Sequence, residues 1–151
     1  MTNRRMIATI VLSAAAFTGI LTYEKFSPEV YNDGVGVHTL GFGTTQGVKP
    51  GDKITLDKAL ERALSDVTKF EGAIKKCVKV PLSQNEYDAY ISLAYNIGPT
   101  AFCNSTLVKK LNQLDYSGAC AEISRWDKAG GKTLRGLTRR RAYERALCES
   151  R

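Results

Sequence analysis

Three carboxylates and a hydroxyl crowd into one short stretch of this chain. Glu24, Glu29, Asp33 and Thr39 all lie within residues 24–45, EKFSPEVYNDGVGVHTLGFGTT. Glu24 directly follows an uncharged run. If that run packs as a helix, the Glu24 carboxyl sits at an apolar helix end, where loss of water favours the protonated form. A protonated carboxyl near neutral pH is what general-acid catalysis needs. Asp33 sits in the polar turn Asn32-Asp33-Gly34, where ionisation is easy. Two carboxyls in unlike surroundings suit the cleavage of glycosidic bonds: one protonates the leaving oxygen, the other orients or activates the attacking group. Thr39 adds a hydroxyl on the following strand. Acidic pairs beside turns are also common on solvated surfaces, so residue types alone leave that reading open.

The elements around these residues are legible from periodicity. In the glycine-rich stretch up to Gly51, Val35, Val37, Leu40 and Phe42 alternate with Gly36, Gly41 and Gly43. This predicts a twisted β-hairpin or a three-stranded sheet. Leu56, Ala59, Leu60, Ala63, Leu64, Val67, Phe70 and Ile74 recur at three and four, predicting one long helix with a single apolar stripe and Thr55 as its N-cap. Ser83 and Glu86 form a capping box that opens a second helix, running to about Ile97 and ended by Gly98-Pro99. Shorter helices are expected at 105–112, 117–126 and 138–148, with Gly130-Gly131 separating the last two. The expected fold class is α+β and mainly helical. A small β-sheet lobe and a helical lobe would be joined by a long helix, with a cleft between them.

Arg4 and Arg5 precede an uncharged run of 18 residues, Met6 to Tyr23. A positive start followed by an apolar stretch has the layout of an export signal, and the positive end should stay cytoplasmic. A transmembrane helix wants about 20 strongly apolar residues, and this run is diluted by alanine, serine, threonine and glycine. It could be cleaved, stay as an anchor, or later leave the bilayer; a buried first helix of a cytosolic domain is the plainer alternative. The chain thus divides into residues 1–23, an export and anchor segment able to refold as a first helix, and residues 24–151, the main domain.

Composition narrows the classes. Apolar content of 43% and charged content of 25% are ordinary for one globular domain and speak against disorder. The net charge of +7 fits an anionic partner or simply solubility. Its one cluster is Arg135, Arg139, Arg140 and Arg141. Cys77, Cys103, Cys120 and Cys148 are even in number, which in an exported chain suggests two disulfides. Their wide spacing, with His38 as the only histidine, argues against a metal site. Three pairings are possible; the favoured one is Cys120–Cys148, joining neighbouring helices, with Cys77–Cys103. No cofactor is expected.

The order of these features resembles the phage lysozymes, or endolysins, of glycoside hydrolase family 24. Members show Glu, eight residues, Asp, five residues, Thr, then G-x-G; Glu24, Asp33, Thr39 and Gly41-Phe42-Gly43 fall in that register. PLSQNEYDAYISLAYNIG (81–98), FCNSTL (102–107), RW-x-x-AGG (125–131) and GLTRRRAYERALC (136–148) extend the resemblance over nearly all of the chain after Tyr23. It implies a lysozyme-like fold and hydrolysis of the β-1,4 bond between N-acetylmuramic acid and N-acetylglucosamine in peptidoglycan. Glu24 would be the general acid. Asp33 and Thr39 would position a water on the opposite sugar face, an inverting reaction, and Tyr31, Asn96 and Gly98 would lie near the cleft. Two departures stand out: Lys25 where the family has Gly, and Thr44 where a His often follows G-x-G. His38 is read either as a modulator or as an outward strand residue.

The N-terminus resembles the signal-arrest-release segments of some endolysins. That subgroup is exported by the host secretion machinery, held inactive on the periplasmic face of the inner membrane, here through residues 6–23, and then released to the periplasm. The expected partner is the peptidoglycan glycan strand, met by a monomer. The competing readings are a non-catalytic peptidoglycan-binding or membrane-anchored protein on the same fold, and a basic nucleic-acid-binding domain supported only by Arg139–Arg141. The reading adopted includes no nucleic-acid partner.

Overall fold

The structure is a computed structural model that describes residues 3–32 and 36–150. The elements in order are α1 (Ala14–Glu24), β1 (Ser27–Asn32), β2 (His38–Gly41), α2 (Leu56–Cys77), α3 (Gln84–Ile97), α4 (Pro99–Cys103), α5 (Thr106–Asn112), α6 (Tyr116–Glu122), β3 (Lys128–Ala129), β4 (Lys132–Thr133) and α7 (Arg135–Glu149). Short 3-10 turns cover Ile7–Thr9 and Ile123–Arg125. The chain forms two compact units. One is Thr18–Lys69; the other joins Phe17 and the residues before it to Phe70 and those after it.

In the unit of residues 18–69, β1 pairs antiparallel with β2, Tyr31 opposite Thr39 and Asn32 opposite His38. The other edge of β1 is covered as well. Val30 N–H donates to Asp52 O (3.3 Å), and Ile54 N–H donates to Pro28 O (2.9 Å). The sheet is thus a hairpin with a third, bridged segment, which joins the two forms expected from the alternation. Asp33, Gly34 and Val35 lie outside the described residues.

The stripe on α2 is divided differently from the sequence expectation. Ala59, Ala63 and Val67 are buried, whereas Leu56, Leu60 and Leu64 are exposed. The small side chains face inward because the sheet comes close: a Cβ on Gly41 would lie 3.1 Å from the Ala59 Cβ. A leucine there would overpack the contact. The Thr55 carbonyl accepts from Ala59 N–H (2.9 Å), and its hydroxyl donates to Asp57 Oδ1 at 2.5 Å.

The other unit is built on α3, whose buried face runs from Glu86 to Tyr95. The expected capping box is present: Glu86 N–H donates to Ser83 Oγ (3.1 Å), and Ser83 N–H donates to Glu86 Oε2 (2.8 Å). α7 packs on α3 through charge. Glu144 is wholly buried and accepts from Ser92 Oγ (2.7 Å) and Arg140 Nε (3.1 Å), and from Arg141 Nη1. Arg140 and Arg141 are therefore interior groups, which takes two members out of the supposed basic surface cluster. Cys77–Cys103 and Cys120–Cys148 are both bonded, as favoured from the sequence. Loops of 26 and 28 residues each restrict the unfolded chain by about 3.5 kcal/mol in the loop-entropy picture. α4, the 3-10 turns and the β3–β4 hairpin were not anticipated.

The uncharged run does not form one helix. Ser13 caps α1, accepting from Ala16 N–H at 3.1 Å, and the residues before it are pinned individually. Leu12 N–H donates to Glu71 Oε1 (2.7 Å), and Ser13 donates to both Asp88 oxygens, from N–H (3.0 Å) and hydroxyl (2.7 Å). Arg5 and Leu82 exchange two backbone hydrogen bonds of 2.8 and 2.9 Å. Arg4 reaches Glu86 at 2.7 Å while its guanidinium lies 3.5 Å from the centre of the Tyr116 ring. That carboxylate raises the Arg4 pKa further. Ile7 and Ile10 are buried, Met6 and Val11 exposed. No helix among the described residues is long and apolar enough to cross a membrane.

Glu86 thus does two jobs, and they separate by mutation. Glu86→Gln keeps a side chain able to complete the capping box but loses the ion pair, and should cost about 1–2 kcal/mol. Glu86→Ala should cost roughly 1 kcal/mol more through the cap. Urea unfolding of the oxidised protein reads both.

Candidate active site

The unit of residues 18–69 holds Glu24 at the end of α1 and pairs Tyr31 with Thr39 across the β1–β2 hairpin. Glu24 is the last residue of α1 and is half-buried. Lys25 N–H closes the helix by donating to Leu21 O (3.0 Å), and Lys25 has φ +56°. This is the left-handed helix end that glycine adopts without cost, and lysine holds it against a strain of about 1 kcal/mol. The departure from the family pattern noted in the sequence is therefore accommodated with the backbone of a glycine.

The neighbour that shapes the carboxyl is Gly43. A Cβ built on it would lie 2.8 Å from Glu24 Oε2, and its φ is +80°. Only a residue without a side chain lets the backbone come this close. Gly43 sits in a tight loop closed by Leu40 and Thr44, which exchange backbone hydrogen bonds of 2.9 and 3.0 Å. Phe42 packs on Phe26 with ring centroids 5.5 Å apart, tying the loop to the chain just after α1.

Thr39 is buried on β2, and its hydroxyl donates to Val37 O at 3.3 Å. Tyr31, opposite it on β1, is exposed, as is His38, in keeping with an outward strand residue. Asp33 lies outside the described residues. Asn96 and Gly98 belong to the other unit, at the C-terminal end of α3. Asn96 is exposed, and its Oδ1 accepts from Arg141 Nη2. Gly98, at φ +91°, ends α3 by donating to Ala94 O (2.9 Å) and starts α4 by accepting from Phe102 N–H (3.1 Å). Among the described residues no group of three His, Cys, Asp or Glu side chains could hold a metal ion.

Sequence reasoning missed the roles of Gly43, Asp66 and Arg141. Gly43 was legible as the second glycine of the G-x-G, but not as the neighbour of Glu24. Arg141 was read within a charge cluster, although the spacing to Glu144 signalled a helical ion pair. Asp66 carried no signal beyond helical spacing.

Comparison with known proteins follows from this geometry. The family model described as phage lysozyme matches residues 21–144. The chain is 46% identical over 135 residues to an endolysin of Acyrthosiphon pisum secondary endosymbiont phage 1, covering 87% of this chain and 92% of that one. It is 36% identical over 139 residues to the SAR-endolysin of Pseudomonas phage phiKMV, covering 89% and 86%. Among solved structures it is similar to the endolysin from Escherichia coli O157:H7 phage FAHEc1. The TM-score is 0.81 at 35% identity, over 99% of this chain and 97% of that one.

Gly43→Ala should lower kcat by about 10- to 100-fold by pushing the Glu24 carboxyl aside. Gly47→Ala is the matched control: its φ is +72°, but nothing lies within 4 Å of the added Cβ. It should lose comparable stability and keep kcat.

Proposed function

Because the chain belongs to the phage lysozyme family, we propose that it lyses cells as an endolysin whose proton donor is Glu24. The chain is a muramidase, a glycoside hydrolase of peptidoglycan. The bond cut is the β-1,4 link between N-acetylmuramic acid and N-acetylglucosamine. The observation that carries the catalytic assignment is the half-buried Glu24 carboxyl resting on Gly43, at the end of a helix and beside the hairpin. A carboxyl fixed there has one face on the protein and can hand its proton outward to a leaving oxygen. Asp33 and the Thr39 hydroxyl hold the attacking water on the opposite face of the sugar, which inverts the anomeric centre. Tyr31, Asn96 and Gly98 are assigned to contacts with the glycan strand.

We further propose that residues 1–23 export the chain and tether it to the periplasmic face of the inner membrane before it is released. The phiKMV relative is named a SAR-endolysin, which supports this reading. So does the composition of the run, apolar enough to enter a bilayer and polar enough to leave it. While residues 6–23 lie in lipid, α1 is withheld and Glu24 lacks the helix that fixes it. The inner-membrane stage therefore carries an incomplete site. The non-catalytic alternative draws no support from the intact Glu24 and Thr39 placements.

Glu24→Gln should abolish the fall in turbidity of bacterial walls while leaving unfolding unchanged; an active amide variant sinks the assignment. Replacing residues 1–23 by a cleaved signal that leaves no first helix should yield exported but inactive protein. Full activity from that chain would show that α1 is dispensable.

A further inference from the structure

One face of α2 follows the chain from Gly41 to Gln46, which includes the Gly43 that abuts Glu24. Ala59 meets Gly41, at 3.1 Å from where its Cβ would be. Arg62 Nη2 donates to Gln46 O (2.8 Å), Asp66 Oδ2 accepts from the Thr44 hydroxyl (2.7 Å), and Lys69 Nζ donates to Gln46 Oε1 (3.1 Å). Residues 59, 62, 66 and 69 are spaced three, four and three, so they form one stripe along the helix. Three of the four contacts are made by side chains that reach from α2 to the loop.

Of the three polar contacts the central one is the most enclosed. Thr44 is 2% exposed, and its backbone is the one that closes the loop onto Leu40. The loop's next residue inward is Gly43, which abuts Glu24. A hydroxyl donating to a carboxylate is a short, charge-assisted hydrogen bond, which fixes the depth of the loop better than apolar contact does. The departure at Thr44 is thus itself a fitted part: a threonine short enough to be buried, with its hydroxyl aimed at α2.

We propose that Asp66 is a positioning residue for the hydrolysis, acting through Thr44 to hold Gly43 against the Glu24 carboxyl. This rests on the reading of Glu24 as the proton donor. Asp66 touches no reacting atom; it sets the distance at which Glu24 is braced. Loss of the hydrogen bond frees the Gly41–Thr44 loop to drift, and a misplacement of the order of 1 Å lowers the rate without weakening glycan binding.

The test compares Thr44→Val, Thr44→Ser, Asp66→Ala and Asp66→Asn on soluble peptidoglycan fragments, with Glu24→Gln alongside. Activity is expressed per folded molecule. Thr44→Val and Asp66→Ala should lower kcat about tenfold with KM within about twofold. Thr44→Ser and Asp66→Asn, which keep the donor and an acceptor, should stay within about threefold of the parent. The Gly43 amide resonance should move in the first pair and not in the second. If Thr44→Val and Asp66→Ala lose thermal stability but keep kcat, the hydrogen bond is merely structural and the proposal is overturned. Failure of both to fold overturns it equally, since the bond would then hold the whole unit and not the loop. An active Glu24→Gln removes the proton-donor reading itself. An inactive Glu24→Gln beside a fully active Thr44→Val removes only this inference.

Discussion

A carboxyl oxygen can rest against a peptide chain at the distance seen between Glu24 and Gly43 only where that chain has no side chain. Most of the unit of residues 18–69 can be understood as what is needed to keep those two groups opposed. α1 must end at Glu24, and it does so through the left-handed Lys25. The loop must turn back at once after β2, which the Leu40–Thr44 pairing enforces. The sheet must come down close onto α2, which is why alanines and not leucines face it at positions 59 and 63. Each of these is a short-range constraint with little slack, because a packed interior shifts in discrete steps.

What the sequence disclosed follows from how local each cause is. The capping box at Ser83 and Glu86 and the glycine end at Gly98 are written in adjacent residues, so α3 was located to within a residue. The same holds for the cysteine pairs once neighbouring helices were assumed. The stripe on α2 was harder, because periodicity reports apolar residues without saying which neighbour approaches. Leu56, Leu60 and Leu64 complete the pattern yet face outward, since the approach of Gly41 reserves the inner face for smaller groups. Glu24 and Thr39 stand in the register of the family motif, whereas the Thr44–Asp66 bond left no trace in the sequence, because a hydroxyl and a carboxylate 22 residues apart carry no signal before the fold exists.

Charge misled in an instructive way. Four arginines between positions 135 and 141 resemble a surface for anions. Arg140 and Arg141 are instead enclosed around Glu144, and they also donate to Ser92 O, Trp126 O and Asn96 Oδ1. No buried side-chain nitrogen or oxygen among the described residues lacks a partner. Burying this cluster contributes little net stability, because desolvation offsets attraction, but its bonds to Ser92 and Asn96 tie α7 to α3.

The N-terminal segment is received in the folded chain mainly by carboxylates. Arg4 and Arg5 are positive, which orients an apolar run in a bilayer. In the folded chain Arg4 is held by Glu86 and Tyr116, and the backbone at Leu12 and Ser13 is received by Glu71 and Asp88. These carboxylates lie on α2 and α3, elements that also hold one another through the Tyr87 hydroxyl donating to Glu71 at 2.8 Å. Burial and that carboxylate push the Tyr87 phenol far above its usual pKa, so the donor persists at any pH the cell envelope meets. The walls of this socket are thus tied to each other by bonds in which the N-terminal residues take no part. What the occupant adds is the anchored start of α1, the helix whose last residue is Glu24. The contacts of Arg4, Leu12 and Ser13 with the carboxylates of α2 and α3 thus set where α1 begins, and no disulfide takes part in them.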